Sequence, residues 1–204
     1  MKKQPHPYLP TEDRRRAIAE AARALIVEKG FEGLRTREIA DRVGINVATL
    51  HYHVPTKEAL IELLAQSMLD EFTAQHMSNP RDGLSPLEQL KLEFSEFRDT
   101  AINNPNLLHA MIELKRRSEY DDKVARYINP MSAGWRCHFA TILEAGIADG
   151  TFRSDIDVNA AALIIVGTLA LLAGRRQPLD ETVYGQVTGE LVRSIQACPS
   201  NNPG

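Results

Sequence analysis

Residues 34–54, Leu34-Arg-Thr-Arg-Glu-Ile-Ala-Asp-Arg-Val-Gly44-Ile-Asn-Val-Ala-Thr-Leu-His-Tyr-His-Val54, decide the fold. Two short apolar-periodic runs, Arg37 to Val43 and Val47 to Val54, flank a turn at Gly44. That spacing predicts two helices crossing at a tight corner, the plan of a helix-turn-helix. Ile39, Ala40, Val43, Ile45, Leu50 and Val54 supply the apolar contacts, and Ala40 is small enough to let the helices cross closely. Asn46, just ahead of the second helix, is placed to cap its first amides and leave that end, with its partial positive charge, facing phosphate.

With Leu50 and Val54 turned inward, the opposite azimuth carries Val47, Ala48, His51 and Tyr52. A merely solvated face would carry Lys, Glu and Gln, so this one suits a major groove. Val47 and Ala48 fit thymine methyls, His51 a base edge or phosphate, and the Tyr52 hydroxyl a phosphate. Phosphates supply most of the affinity of such a reader, with Thr36, Thr49 and Lys57 as the expected contacts. His51 and His53 do not read as a metal pair, because neighbours two apart on a helix diverge by about 200°.

The block resembles the DNA-binding domain of the TetR (tetracycline-repressor-like) family of bacterial transcription regulators, from about Arg15 to Leu64. The matching residues come in a fixed order: a helix ending at Gly30, Thr36-Arg-Glu-Ile-Ala, Val43-Gly-Ile, Ala48-Thr-Leu-His-Tyr-His-Val and Thr56-Lys-Glu-Ala-Leu60. The resemblance implies a homodimer reading a pseudo-palindromic DNA operator. It puts Thr36, Arg37, Val47, Ala48, Thr49, His51, Tyr52, His53 and Lys57 at contact positions, with Arg37 the candidate for pairing guanine O6 and N7 together. Three residues depart from the family pattern: Arg35 where a Ser or Thr cap is common, His51 in place of Tyr, and Val54 in place of Phe.

Outward from this block, the chain has 204 residues, 43% of them hydrophobic, enough for one good core or a small domain docked on a larger one. The formal net charge of -3 hides an asymmetry. Residues 1–57 hold eleven Lys and Arg against seven Asp and Glu, while the remainder holds thirteen against twenty. A basic head on an acidic body suits a protein that offers one end to a polyanion.

Helical periodicity runs through nearly every segment, so the chain reads as all-α with about nine helices. They are expected at Thr11 to Lys29, Arg37 to Val43, Val47 to Val54, Thr56 to Met77, and then 86–103, 105–118, 121–149, 157–174 and 181–197. Pro130 should kink or split the seventh. The expected division is a DNA-binding domain at 1–57, a helical effector-binding and dimerisation domain at 58–198, and a flexible tail at 199–204.

Beyond Leu64 only the architecture of the resemblance carries over, and it implies a helical shell whose small-molecule effector releases DNA. Ala160 to Ala173 is apolar on every side, so a partner subunit is a natural second cover. The next helix presents Val183, Val187, Leu191 and Ile195, with Gly185 and Gly189 permitting close approach. The two together predict half of an intersubunit four-helix bundle. Phe94, Phe97, His109, Met111, Trp135, His138 and Phe139 are the candidate effector contacts, aromatic and Met side chains for apolar groups and His to orient a polar one.

Two other functions compete. One is a DNA-binding regulator without a small-molecule effector, controlled by a protein partner or by abundance. The other is an enzyme using His109, Glu113 and His138, but no nucleophile motif, phosphate-cradling loop or metal spacing supports it. The expectation is therefore no catalysis, no cofactor and no metal. Cys137 and Cys198 fit no redox spacing and read as free thiols of a reducing cytoplasm. Met1 to Pro10 lacks a signal-peptide core, and the apolar run from Ala160 to Ala173 is shorter than the roughly 20 residues a spanning helix needs.

Overall fold

The computed structural model describes residues 11–174 and 178–197; the arm before Thr11, Cys198 and the expected tail at 199–204 lie outside the described residues. The elements are α1 (Thr11–Lys29), a 3-10 turn (Phe31–Gly33), α2 (Thr36–Val43), α3 (Val47–His53), α4 (Lys57–Ser78), α5 (Pro86–Asn103), α6 (Pro105–Arg117), α7 (Asp122–Ala148), α8 (Val158–Ala173) and α9 (Glu181–Ile195). Extended pairing among the described residues is confined to the isolated bridge of Phe152 with Gln196. Among the described residues no helix is long and apolar enough to cross a membrane.

Helix ends follow side-chain chemistry. Ser85 and Glu88 form a reciprocal capping box ahead of α5, with Pro86 in its first turn. Asp157 and Asp180 accept from the first amides of α8 and α9. Pro130 does not split α7, which runs as one element from Asp122 to Ala148. Pro130 is exposed, so the Arg126 carbonyl that it deprives of a donor lies where water can reach.

The chain divides into two compact units, one of residues up to Ala74 with His109–Pro130, the other of Gln75–Leu108 with residues from Met131 onward. The first unit is packed around Ile18, Ala22, Leu25 and Ile26 of α1, Ile39 and Ala40 of α2, Leu50 of α3, and Ile61, Leu64 and Met68 of α4, all essentially without solvent exposure. In the second unit Leu90 and Phe94 of α5, Phe139 and Leu143 of α7, Ile165 and Leu169 of α8, and Tyr184 and Ile195 of α9 are buried.

Two contacts set the register of the second unit. The buried Tyr184 hydroxyl donates to the Phe94 carbonyl at 2.6 Å, and burial pushes that hydroxyl above the ordinary tyrosine range. Gly146 lies so close to Phe152 that a Cβ there would stand 2.0 Å from the ring, and the Phe152 amide donates to the Gly146 carbonyl. Only glycine fits.

One face of α8 is left uncovered in the single chain. Leu163, Ile164 and Leu171 are 56%, 58% and 67% exposed, and Ala160 and Gly167 share their azimuth, while Ala162, Ile165, Leu169 and Leu172 face the core.

Candidate nucleic-acid interface

The corner between α2 and α3 is closed by Gly44. Its φ of 73° is left-handed, its amide bonds back to Asp41, and the Ile45 amide bonds to the Ala40 carbonyl at 2.9 Å. This is a glycine-terminated helix end of the kind that reverses a chain sharply. Ala40 is buried at the crossing, as its size requires, while Val43 and Ile45 are half-buried. At the start of α3 the Asn46 carboxamide oxygen accepts from the Thr49 amide at 2.7 Å. Arg35, at the start of α2, makes no side-chain cap.

α3 buries Leu50, with Val54 just beyond it, and turns its other side outward. Ala48 and His51 are exposed and Tyr52 is 83% exposed, a large aromatic held in water. Val47 and Thr49 are half-buried, so they present less of themselves than the azimuth alone implies. Thr36 and Arg37 are exposed in the first turn of α2, and Lys57 is exposed at the first turn of α4 with its ammonium 4.2 Å above the Phe31 ring. Thr56 caps that turn by accepting from the Ala59 amide.

His53 is half-buried, with its ring edge-on to Tyr52. Burial, then Arg14 and Arg15, push its imidazole below the usual histidine range, so it is neutral at neutral pH. Its geometry favours bracing Tyr52 over meeting phosphate as a cation. Arg42 is committed elsewhere: its guanidinium takes Glu28 of α1 at 2.8 and 2.5 Å. Lys29 likewise pairs with Glu38, so ion pairs tie α1 to α2 behind the reading face.

The first unit also contains contacts that local patterning did not reveal. Arg117, at the end of α6, donates to Glu32 of the 3-10 turn at 2.6 Å and to Asp121, and lies 5.0 Å from the Phe31 ring centre. Arg126 of α7 reaches Glu58 of α4 at 3.0 Å.

Of the candidate effector contacts, five come together in the second unit. Trp135 stacks on Phe97 at 5.7 Å and meets Phe139 at 5.7 Å, Phe94 lies 6.4 Å from Phe139, and His138 is edge-on to Phe139. Tyr184 stacks on Phe97 at 6.3 Å and extends the cluster, a residue that reading α9 only for its aliphatic stripe passes over. His109 and Met111 are half-buried on the part of α6 that belongs to the first unit.

Residues 18–64 match the family model described as bacterial regulatory proteins, tetR family. Over 159 residues the chain is 28% identical to the HTH-type transcriptional repressor KstR2 of Rhodococcus jostii, covering 72% of each chain. Among solved structures, the ketosteroid transcriptional regulator KstR2 of Mycobacterium tuberculosis superposes with a TM-score of 0.73 at 24% identity, over 91% of this chain and 96% of that one. AibR, in complex with isovaleryl coenzyme A and operator DNA, gives 0.75 at 22% identity, over 88% and 98%. Together with the exposed α3 face, these likenesses define a helix-turn-helix transcriptional regulator and not an enzyme. Within that class, residues 18–64 carry the tetR-family regulatory domain, and the chain as a whole is similar to the KstR2 repressors.

Proposed function

We propose that this protein is a ligand-responsive repressor: a homodimer that binds a pseudo-palindromic operator in the cytoplasm and is released from it by a small-molecule effector. The observation that carries the reading is the α3 face, where Ala48, His51 and Tyr52 stand exposed beside Thr36, Arg37 and Lys57. Residues 1–57 are the reader and 58–198 the effector-binding and dimerising body. Val47, Thr49 and His53 complete the reading surface by shape and by support of their exposed neighbours.

Two substitutions separate positioning from reading. Tyr52→Phe removes one phosphate hydrogen bond, so affinity for operator and for random DNA should fall together, by roughly fivefold for about 1 kcal/mol. Arg37→Ala should instead flatten preference at one base pair per half-site, at a cost of about 1–3 kcal/mol on the preferred sequence alone. Binding titrations on operator variants and on random duplex, at one fixed salt concentration, measure both. Unchanged affinity in Tyr52→Phe would remove the phosphate assignment.

The effector site of this reading is the aromatic cluster of Phe94, Phe97, Trp135, His138 and Phe139 within the second unit. The rings offer an apolar ligand flat surfaces and polarisable edges. The solved structure of AibR, with both a small molecule and operator DNA, supports one fold serving both partners. Trp135 is the chain's sole tryptophan, so its emission reports this cluster directly. In a metabolite screen, an effector at about 100 times its Kd should stabilise the protein by about 2.7 kcal/mol and shift that emission. The same compound should release operator DNA; a stabilising compound that leaves DNA bound would point to a different control.

A further inference from the structure

We propose that His76, Glu93 and His138 form a binding site for a divalent d-block cation of the Zn2+ type. The three residues come from the last turn of α4, the middle of α5 and the middle of α7, all within the second unit. One ligand atom from each lies within 4.8 Å of the other two. Two imidazoles and a carboxylate are the donor set of zinc sites that keep a fourth position open.

Bonds of about 2.0–2.2 Å in a tetrahedral arrangement hold ligand atoms roughly 3.4 Å apart. His138 Nε2 and Glu93 Oε1, at 2.9 Å, are already at that scale. His76 is exposed, with its ring 5.4 Å from that of His138, and one of its ring nitrogens lies within 4.8 Å of the other two ligand atoms.

The state of His138 is the second observation. Its Nε2 is buried 2.9 Å from the Glu93 carboxylate, yet it has no hydrogen-bond partner. A buried ring nitrogen this close to an anionic oxygen but without a hydrogen bond is a poor arrangement for an ordinary ion pair. A cation between the two satisfies both lone pairs.

The surroundings suit such an ion. Arg81 Nε and Nη2 donate to Glu93 Oε1 at 3.1 and 2.7 Å, and Nη2 also donates to Glu96 Oε2 at 2.6 Å. Its Nη1 donates to the His76 carbonyl at 2.7 Å and the Asn79 carbonyl at 2.6 Å. One guanidinium therefore fixes the carboxylate and the backbone that carries His76, the kind of outer support that orients metal ligands. Its positive charge does not forbid a cation: Glu93 and Glu96 together leave the cluster one negative charge in excess when the histidines are neutral.

Mg2+ and Ca2+, which take six or more oxygen ligands, are poorly served by two nitrogens and one carboxylate.

The test uses the full chain, free of any affinity tag and stripped of metal by chelator. Zn2+ titration by calorimetry should show one ion per chain, and Co2+ should give the intense visible band of low-coordinate cobalt. His76→Ala alters an exposed residue and should stay folded by circular dichroism, yet weaken Zn2+ roughly tenfold or more, at least the loss seen when a supporting partner is removed. His138→Ala should do the same, and Cys137→Ser, altering the neighbouring exposed thiol, should change nothing. Absence of Zn2+ and Co2+ binding in the wild type, full affinity in folded His76→Ala, or loss of binding in Cys137→Ser would each overturn the assignment.

Discussion

Leu163→Asp is expected to yield a folded monomer that has lost specific operator binding. Leu163 is more than half exposed on a helix whose opposite face is fully packed, so the change removes little from the protomer's own core. Ile164 and Leu171 continue the stripe, and Gly167 on α8 and Gly185 on α9 have nothing within 4 Å of a built Cβ. Glycines with open space beside an apolar stripe let a second backbone approach closely. In a two-fold interface each substitution occurs twice, so two unpaired carboxylates enter one dry contact.

The consequence for DNA is geometric. Two reader helices enter successive major grooves only when the dimer holds them about one turn, roughly 34 Å, apart. A monomer keeps one half-site and loses the gain from linkage, which is roughly a hundredfold or more. Light scattering should move from twice the 22.7 kDa chain mass to that mass itself, with unchanged helicity and a matching loss in gel-shift affinity. A dimeric Leu163→Asp protein, or a wild type that is already monomeric, would remove α8 from the interface.

What could be read without coordinates depended on how local the determinants were. Gly44, Asn46 and the Leu50/Val54 spacing act within a few residues of themselves, and the structure shows the turn, the cap and the buried side where periodicity puts them. Periodicity overstated Val47, which is half-buried because it opens its helix beside the corner. Of the kink or split expected at Pro130, the split does not occur, because a single exposed proline costs one helix bond and not the helix.

Long-range pairings left no such trace. Arg117 meets Glu32 across 85 positions, and His76, Glu93 and His138 sit on three helices with none of the short spacings that mark metal sites. His138 reads from the sequence as a side chain that orients a polar effector group, or as an acid-base candidate; its carboxylate partner, one of many Glu in the chain, carries no local signal. Helix positions follow from the residues of each helix, whereas clusters follow from how helices cross.

The second large effect is expected from Glu71→Ala, a residue outside the proposed reading surface. Arg23 of α1 is buried, its side chain only 5% exposed, and its Nη1 lies 2.5 Å from Glu71 Oε1 of α4. That nitrogen makes no in-line hydrogen bond, so the contact is coulombic, and Glu71 is the carboxylate that balances a charge held out of water. Removing it leaves a buried guanidinium without that carboxylate, and breaking a buried pair from one side costs about 3–5 kcal/mol. Because the Glu71 side chain is one-third exposed and water can partly replace it, the lower end, about 3 kcal/mol, is expected. For a chain of this length that is a fall in Tm of roughly 6–12 °C. Arg23→Met should be milder, since it removes the buried charge and keeps an apolar stem of similar length. The reader rests on α1, so operator binding at elevated temperature should fail first in Glu71→Ala. If calorimetric scans instead show Arg23→Met losing as much stability as Glu71→Ala, the site is held by packing of the arginine stem and not by compensation of its charge.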